Sequence, residues 1–444
     1  MNRSVARAAA VAALLAVGLT ACELPEWLGE SEDPPLPGER ISVLRLEQRL
    51  EPDPAISDLA VRLPRPWRNT DWPQTAGLAA HAMYHLEAAE ALRVVWRIDA
   101  GEGSDSDMRL LAQPVVAGGR IYVLDAAATV RAFAAESGRS LWRQALKPES
   151  EEDGALGGGL AFDGGLVFVT TGYGEIFALS PDSGEIVWRK QLGAPVRGAP
   201  TAASGRVFAI TYDNRMYALS AADGRELWQH NGIPEDAGLV GSPSPAVDRG
   251  VVVAPYSSGE IFALRVENGR PLWSDQLTRS TRSTPLSSLN EIRGSPVIDR
   301  GIVLAVSHSG RFAASDLQSG ARVWDSDIGG IETPWVAGSF IFLITTQSEL
   351  VCLETRSGRI RWVTQLQAYE DEEDRVDPIH WSGPLLVSDR LIAVSSHGFA
   401  AAISPYTGEL LGQQELPAGV QIAPIVADGT IYILTDSATL VALR

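Results

Sequence analysis

Cysteine is almost missing from this chain: Cys22 and Cys352 are the only two in 444 residues. A disulfide framework therefore cannot be what holds the fold together, and no CxxC pair is available for zinc or redox chemistry. Other catalytic signatures are missing as well. There is no Gly-x-Ser-x-Gly elbow and no phosphate loop, and the six histidines stand at 81, 85, 230, 308, 380 and 397. Only His81 and His85 are spaced to share a helical face, and no glutamate beside His81 completes an HExxH metal motif. Asp105 and Asp107 read as a solvated loop rather than an acid–base pair, and Cys352 as a buried strand residue. Positive charge is also short. Lys and Arg total 37 against 55 Asp and Glu, a net charge of −18, which argues against a nucleic-acid partner. The longest early apolar run, Ala8 to Val17, falls short of the roughly 20 residues a bilayer-spanning helix needs.

Turn formers are abundant, with 42 Gly and 27 Pro beside 45% apolar residues, a composition that favours many short strands. A repeat organises them. It ends in SGRSLW (137–142), SGEIVW (183–188), DGRELW (223–228), NGRPLW (268–273), SGARVW (319–324) and SGRIRW (357–362), while TGELLG (407–412) keeps the turn but puts Gly412 in the tryptophan's place. Trp142 to Gly412 spans six intervals of about 45 residues. Ser-Gly, Asp-Gly and Asn-Gly supply the positive φ angles of tight hairpins. Alternating strands such as EIFALSPD (175–182) and RMYALSAA (215–222) precede these turns, behind two further strands, the first with a proline near its start.

Four strands per repeat make a blade that cannot stand alone, so blades must stack until a ring closes. Seven turns give seven blades. The carboxyl-terminal APIVADGTIYILTDSATLVALR (423–444) supplies three strands of another, and ALRVVWRID (91–99), with Trp96, supplies the missing outer strand. The expected fold is an all-β, eight-bladed propeller over residues 91–444, closed by an N-terminal strand. Its tryptophans are expected to fill the space between neighbouring blades rather than form a ligand cage.

The amino terminus has a different character. Arg3, Arg7, the apolar run and Leu19-Thr20-Ala21-Cys22 have the layout of a signal peptide over 1–21, and the last four residues resemble a bacterial lipobox that acylates Cys22. Glu23, where aspartate often marks inner-membrane retention in lipoproteins, implies the periplasmic face of the outer membrane. Residues 22–38 read as an acidic, proline-rich tether. Residues 39–90 read as an extension packed on the propeller, with a short helix expected near Gly77–Leu92.

The x-Gly-x-x-x-Trp ending resembles the PQQ-type propeller repeat. Length, repeat number, lipobox and the segment NTDWPQTAG (69–77) followed by His81 are together similar to the BamB family of lipoproteins. That resemblance implies a non-catalytic scaffold without cofactors, a lipid anchor in the membrane, and BamA with other β-barrel assembly subunits as partners. Unfolded outer-membrane proteins are a further implied partner. It also implies that connections between blades meet BamA: Val196 and Arg197 in one, Glu291 and Arg293 in another, although Arg293 stands where the family commonly has a second acid. A guanidinium at 197 suits a bidentate carboxylate contact; the plain alternative is a solvated loop charge. Two other readings share the repeat: a PQQ-dependent quinoprotein dehydrogenase and a periplasmic ligand-binding propeller. The first lacks both the adjacent-cysteine pair and a recognisable Glu/Asn/Asp set for Ca²⁺.

Overall fold

The structure is a computed structural model that describes residues 49–444 other than 152, 197, 236–240, 242 and 279–290. The expected signal peptide (1–21), Cys22 and the expected tether (22–38) lie outside the described residues. The described part is all-β apart from one 3-10 turn, Pro54–Ile56.

Eight four-stranded antiparallel sheets form the propeller. In the first blade the strands run from the channel outward as Val115–Ala117, Arg120–Leu124, Thr129–Ala134 and Ser140–Ala145. Blades two to seven repeat this order over 158–191, 201–231, 246–276, 297–326, 335–365 and 381–415. The eighth combines Ile425–Ala427, Thr430–Leu434 and Thr439–Leu443 with an outer strand from the opposite end of the chain, Val94–Asp99. Trp96 pairs with Ala442 and Asp99 with Thr439, so the ring is closed by strand pairing.

Each outer strand carries a β-bulge immediately before its tryptophan position. The third blade shows the pattern: Ala218 pairs with Trp228 but Leu219 with Glu226, leaving Leu227 as the extra residue. The same shift recurs in every other blade. A bulge tightens the local twist and re-aims the next side chain. Here it turns each indole inward over the sheet.

Alanine makes room for the ring. Ala132, Ala178, Ala218, Ala263, Ala314 and Ala442 sit opposite Trp142, Trp188, Trp228, Trp273, Trp324 and Trp96. In the first, second, third, sixth and eighth blades the indole meets an aromatic from the second strand above the small side chain, as in Tyr122–Trp142 at 5.8 Å and Phe168–Trp188 at 5.9 Å between centroids. Cys352 occupies this position in the sixth blade, opposite Trp362 and fully buried. Burial pushes its thiol pKa well up, so it packs as a small apolar group.

The outer side of each indole docks on the next blade. Trp142 Nε1 donates to Pro181 O, Trp188 to Ala221 O, Trp228 to Val266 O, Trp273 to Leu317 O, Trp324 to Thr355 O and Trp362 to Pro405 O. The ring lies flat on the turn glycine. At Gly224, where φ is +69°, a Cβ would come within 2.6 Å of Trp188. Trp96 meets Gly138 of the first blade in the same way. The seventh blade is the exception because the outer strand of the eighth, Val94–Asp99, is supplied from elsewhere in the chain and no such turn leads into it. Gly412 therefore has no turn to meet, and a Cβ there would find open space.

The helix expected near Gly77–Leu92 does not form. Ala76, Gly77, His81 and Tyr84 all have positive φ, which breaks a right-handed helix, and the backbone between them pairs with the propeller instead. Tertiary pairing outweighs the helix propensity of Ala79, Ala80 and Ala82.

Candidate functional site: the central channel and the connections between blades

In the structure, residues 69–88 make one circuit of the propeller. Asn69 bonds Val426 and Asp428 of the eighth blade, and Trp72 exchanges two backbone bonds with Val116 of the first. Pro73 O accepts from Phe162 N–H of the second blade. The Gln74 amide then behaves like a peptide unit, accepting from Ala202 N–H and donating to Ala202 O of the third. Ala79 O accepts from Val247 N–H and Ala80 O from Ile298 N–H, in the fourth and fifth. Tyr84 O takes the indole N–H of Trp335 in the sixth, and Leu86 bonds Leu386 and Ser388 in the seventh. Innermost strands expose backbone groups toward the channel, and this segment satisfies part of that edge in every blade but the sixth, where it takes a side-chain bond instead.

The circuit also lids one end of the channel. A cavity of about 160 Å³ is bounded by Trp72, Ala76 and His81 and by residues before or in the first half of the innermost strand of every blade, from Gln113 in the first to Ala423 in the eighth. Trp72 is almost fully buried, stacks on Trp335 with centroids 6.3 Å apart, and donates its indole N–H to Gln113. His81 Nδ1 lies 2.7 Å from Pro296 O, so it carries the proton and donates, while burial lowers the imidazole pKa to about 4. Its Nε2 is then a neutral, buried acceptor with no hydrogen-bond partner among the described residues. His85 uses both ring nitrogens on backbone groups: Nδ1 donates to Pro64 O and Nε2 accepts from Asp389 N–H. The two histidines are structural.

A larger cavity of about 520 Å³ adjoins the first and shares Arg293, Ile331, Glu332 and Gln421 with it. Glu332 is its electrostatic centre. Burial raises its pKa, opposed by the Arg293 charge, the Gly383 N–H and the Ser382 hydroxyl. His308 is pushed the other way, first by burial and then by Arg293. Arg293 is thus turned toward the channel, where it offsets Glu332.

Of the sequence-identified interface residues, Val196 is fully buried between the second and third blades, its N–H bonded to Thr171 O. Arg197 lies outside the described residues. Glu291 is 5% exposed, and its carbonyl accepts from His308 N–H. Neither Glu291 nor Arg293 is a solvated loop charge. The structure brings Arg293 to the channel wall, while Glu291 is covered beside His308 and Val196 sits in a separate connection. Sequence reasoning missed Glu332. Its signal was an acid two residues before a strand-opening proline, Pro334, where other blades have small or apolar residues.

Removing Arg293 should therefore expose the cost of burying Glu332. Arg293→Ala is expected to destabilise the protein by about 1–2 kcal/mol at neutral pH, discounted because the arginine is only partly buried. A carboxyl with a raised folded pKa is most favourable when protonated. The penalty should be small below the usual glutamate range and grow as pH rises through the raised value. Urea unfolding of Arg293→Ala at pH 4.5 and 7.5, with Glu332→Gln as the compensating second change, checks this. A pH-independent loss that Glu332→Gln does not relieve would refute the pairing.

This geometry defines a class: a closed eight-bladed propeller of PQQ-type repeats whose channel is lidded at one end by its own chain. Residues 126–364, over half of the chain, match the family model described as outer membrane protein assembly factor BamB. The chain belongs to that family. Among curated relatives it is 27% identical to the Yersinia pestis outer membrane protein assembly factor BamB over 244 residues, 55% of this chain and 60% of the relative. It is 26% identical to the Escherichia coli K12 protein over 293 residues, 56% of this chain and 72% of that one. The match to the Yersinia relative thus spans less than two thirds of that protein's length. Among solved structures, BamB from Moraxella catarrhalis superposes with a TM-score of 0.67 at 18% identity, over 80% of this chain and all of that one. Quinohemoprotein alcohol dehydrogenase from Comamonas testosteroni gives 0.64 at 16% identity, over 85% and 81%. Both likenesses concern the fold.

Proposed function

We propose that this protein is a non-catalytic scaffold of the machinery that assembles β-barrel proteins into the outer membrane, held at the periplasmic face through acylated Cys22 and binding BamA. Family membership carries this reading. The lidded channel supports it, because the surface left for a macromolecular partner is the outer strands and the connections between blades. A quinoprotein reading fits the residues poorly. Calcium beside such a cofactor requires six to eight oxygen ligands, and the described channel lining offers one carboxylate, Glu332, already engaged by Arg293, Gly383 and Ser382.

Of the four sequence-identified residues, the BamA contact is assigned chiefly to Arg197. Val196 is packed in the core, Glu291 is covered, and Arg293 is committed to the channel. Unfolded outer-membrane proteins would meet the exposed edges of outer strands by strand addition. The seventh blade's Leu410–Glu415, exposed at every position, is the least protected of these. Arg197→Glu is expected to lower recovery of BamA about tenfold or more when the chain is isolated from solubilised membranes, the scale of losing a buried charge-assisted contact. Its thermal midpoint should not change. Undiminished recovery would remove Arg197 from the interface.

A further inference from the structure

The connection between the sixth and seventh blades folds into a two-stranded hairpin, Tyr369–Asp371 with Val376–Pro378. Tyr369 pairs with Pro378 and Asp371 with Val376, which sets Glu370 directly opposite Asp377 on one face. Two carboxylates in that relation repel each other, and a two-stranded hairpin has little stability with which to oppose it. The loop Glu370-Asp371-Glu372-Glu373-Asp374 adds more negative charge. The arrangement calls for a cation between the strands.

His397, in the turn after Arg390–Ser395, faces both acids. The imidazole nitrogen and the two carboxylate oxygens lie within 4.8 Å of one another, with His397 Nε2 3.2 Å from Asp377 Oδ2. Two ligand atoms about 2.0–2.1 Å from one tetrahedral ion would be separated by roughly that distance. The imidazole is also oriented. Its Nδ1 lies 3.1 Å from Ser396 Oγ, which turns Nε2 toward the acids. Ser396 in turn is tied to the strand beyond the hairpin, accepting from His380 N–H at its hydroxyl and donating its own N–H to His380 O. An outer hydrogen bond that fixes ring orientation is a regular feature of histidines that bind metal.

We propose that Glu370, Asp377 and His397 form a binding site for a borderline divalent cation of the zinc type, clipping the hairpin to the seventh blade. One nitrogen and two carboxylate ligands with open positions for water suit such an ion, whereas Ca²⁺ would want more oxygens.

The test is calorimetric titration of the tag-free full chain, stripped with chelator, with Zn²⁺ alone. One saturable equivalent is expected in the wild type. Asp377→Asn and His397→Ala should each weaken binding roughly tenfold or more, and Ser396→Ala by about tenfold through loss of orientation. His230→Ala, at a histidine stacked beside Tyr256 elsewhere, should leave the isotherm unchanged. All three site positions are at or near the surface, and an unchanged thermal midpoint in each variant shows that the propeller is intact. Absence of saturable Zn²⁺ binding would reduce the cluster to an ion pair and overturn the site. Binding that persists unchanged in both ligand variants would do the same, and equal competition by Ca²⁺ would contradict the nitrogen ligand.

Discussion

Replacing Val94–Asp99 with a glycine-serine segment of equal length is expected to abolish the cooperative thermal transition of the propeller. The substitution removes the whole pairing between Val94–Asp99 and Thr439–Leu443. It also removes Trp96, which packs 5.8 Å from Tyr432 and lies on Gly138 of the first blade. Trp96 is partly buried, and its loss alone costs up to about 3 kcal/mol, against a total stability typically about 5–15 kcal/mol. Closure is what gives every blade two neighbours, so opening the ring at one place weakens both flanks. Circular dichroism melting decides the matter. A transition within a few degrees of the wild type would mean that the ring is held closed by something other than this strand.

Trp72→Ala should have the next largest effect. The side chain is 1% exposed, and it fills the lidded end of the channel between Trp335 and Gln113. Truncation there is expected to cost about 3–5 kcal/mol in urea unfolding. The loss should be local as well as global. Because Trp72 anchors the circuit between Asn69 and Gln74, hydrogen exchange at Val116, Ala202 and Val247 should quicken by more than at outer-strand amides. Equal acceleration throughout the propeller would show that the circuit is not a separate lid.

Much of this architecture could be read directly from the repeat. A turn glycine four residues before a tryptophan marks the outer strand of each of the first six blades, and Trp96 without preceding strands of its own announced the closing strand. The spacing held more than the tryptophans alone revealed. Ten residues before each stands an alanine, or Cys352 in the sixth blade, and the missing tryptophan at Gly412 matches the turn missing from the eighth blade. The region before the propeller was opaque because its conformation is imposed from outside. Ala79 and Ala80 are good helix formers, yet their carbonyls are taken by Val247 and Ile298, residues far away in the chain. The channel was hidden for a related reason. Arg293 and Glu332 are remote in sequence, and only the radial arrangement of blades brings the residues preceding each innermost strand to a common axis. A loop arginine in an acidic protein thus read as a surface feature, whereas the fold turns it inward.

Affinity isolation of the wild-type chain from solubilised membranes, followed by mass spectrometry, is the most direct test of the proposal that this propeller serves barrel assembly. BamA should rank among the most enriched proteins, with recovery falling in the Arg197→Glu variant. Enrichment without any β-barrel assembly subunit, from membranes in which BamA is abundant, would contradict it.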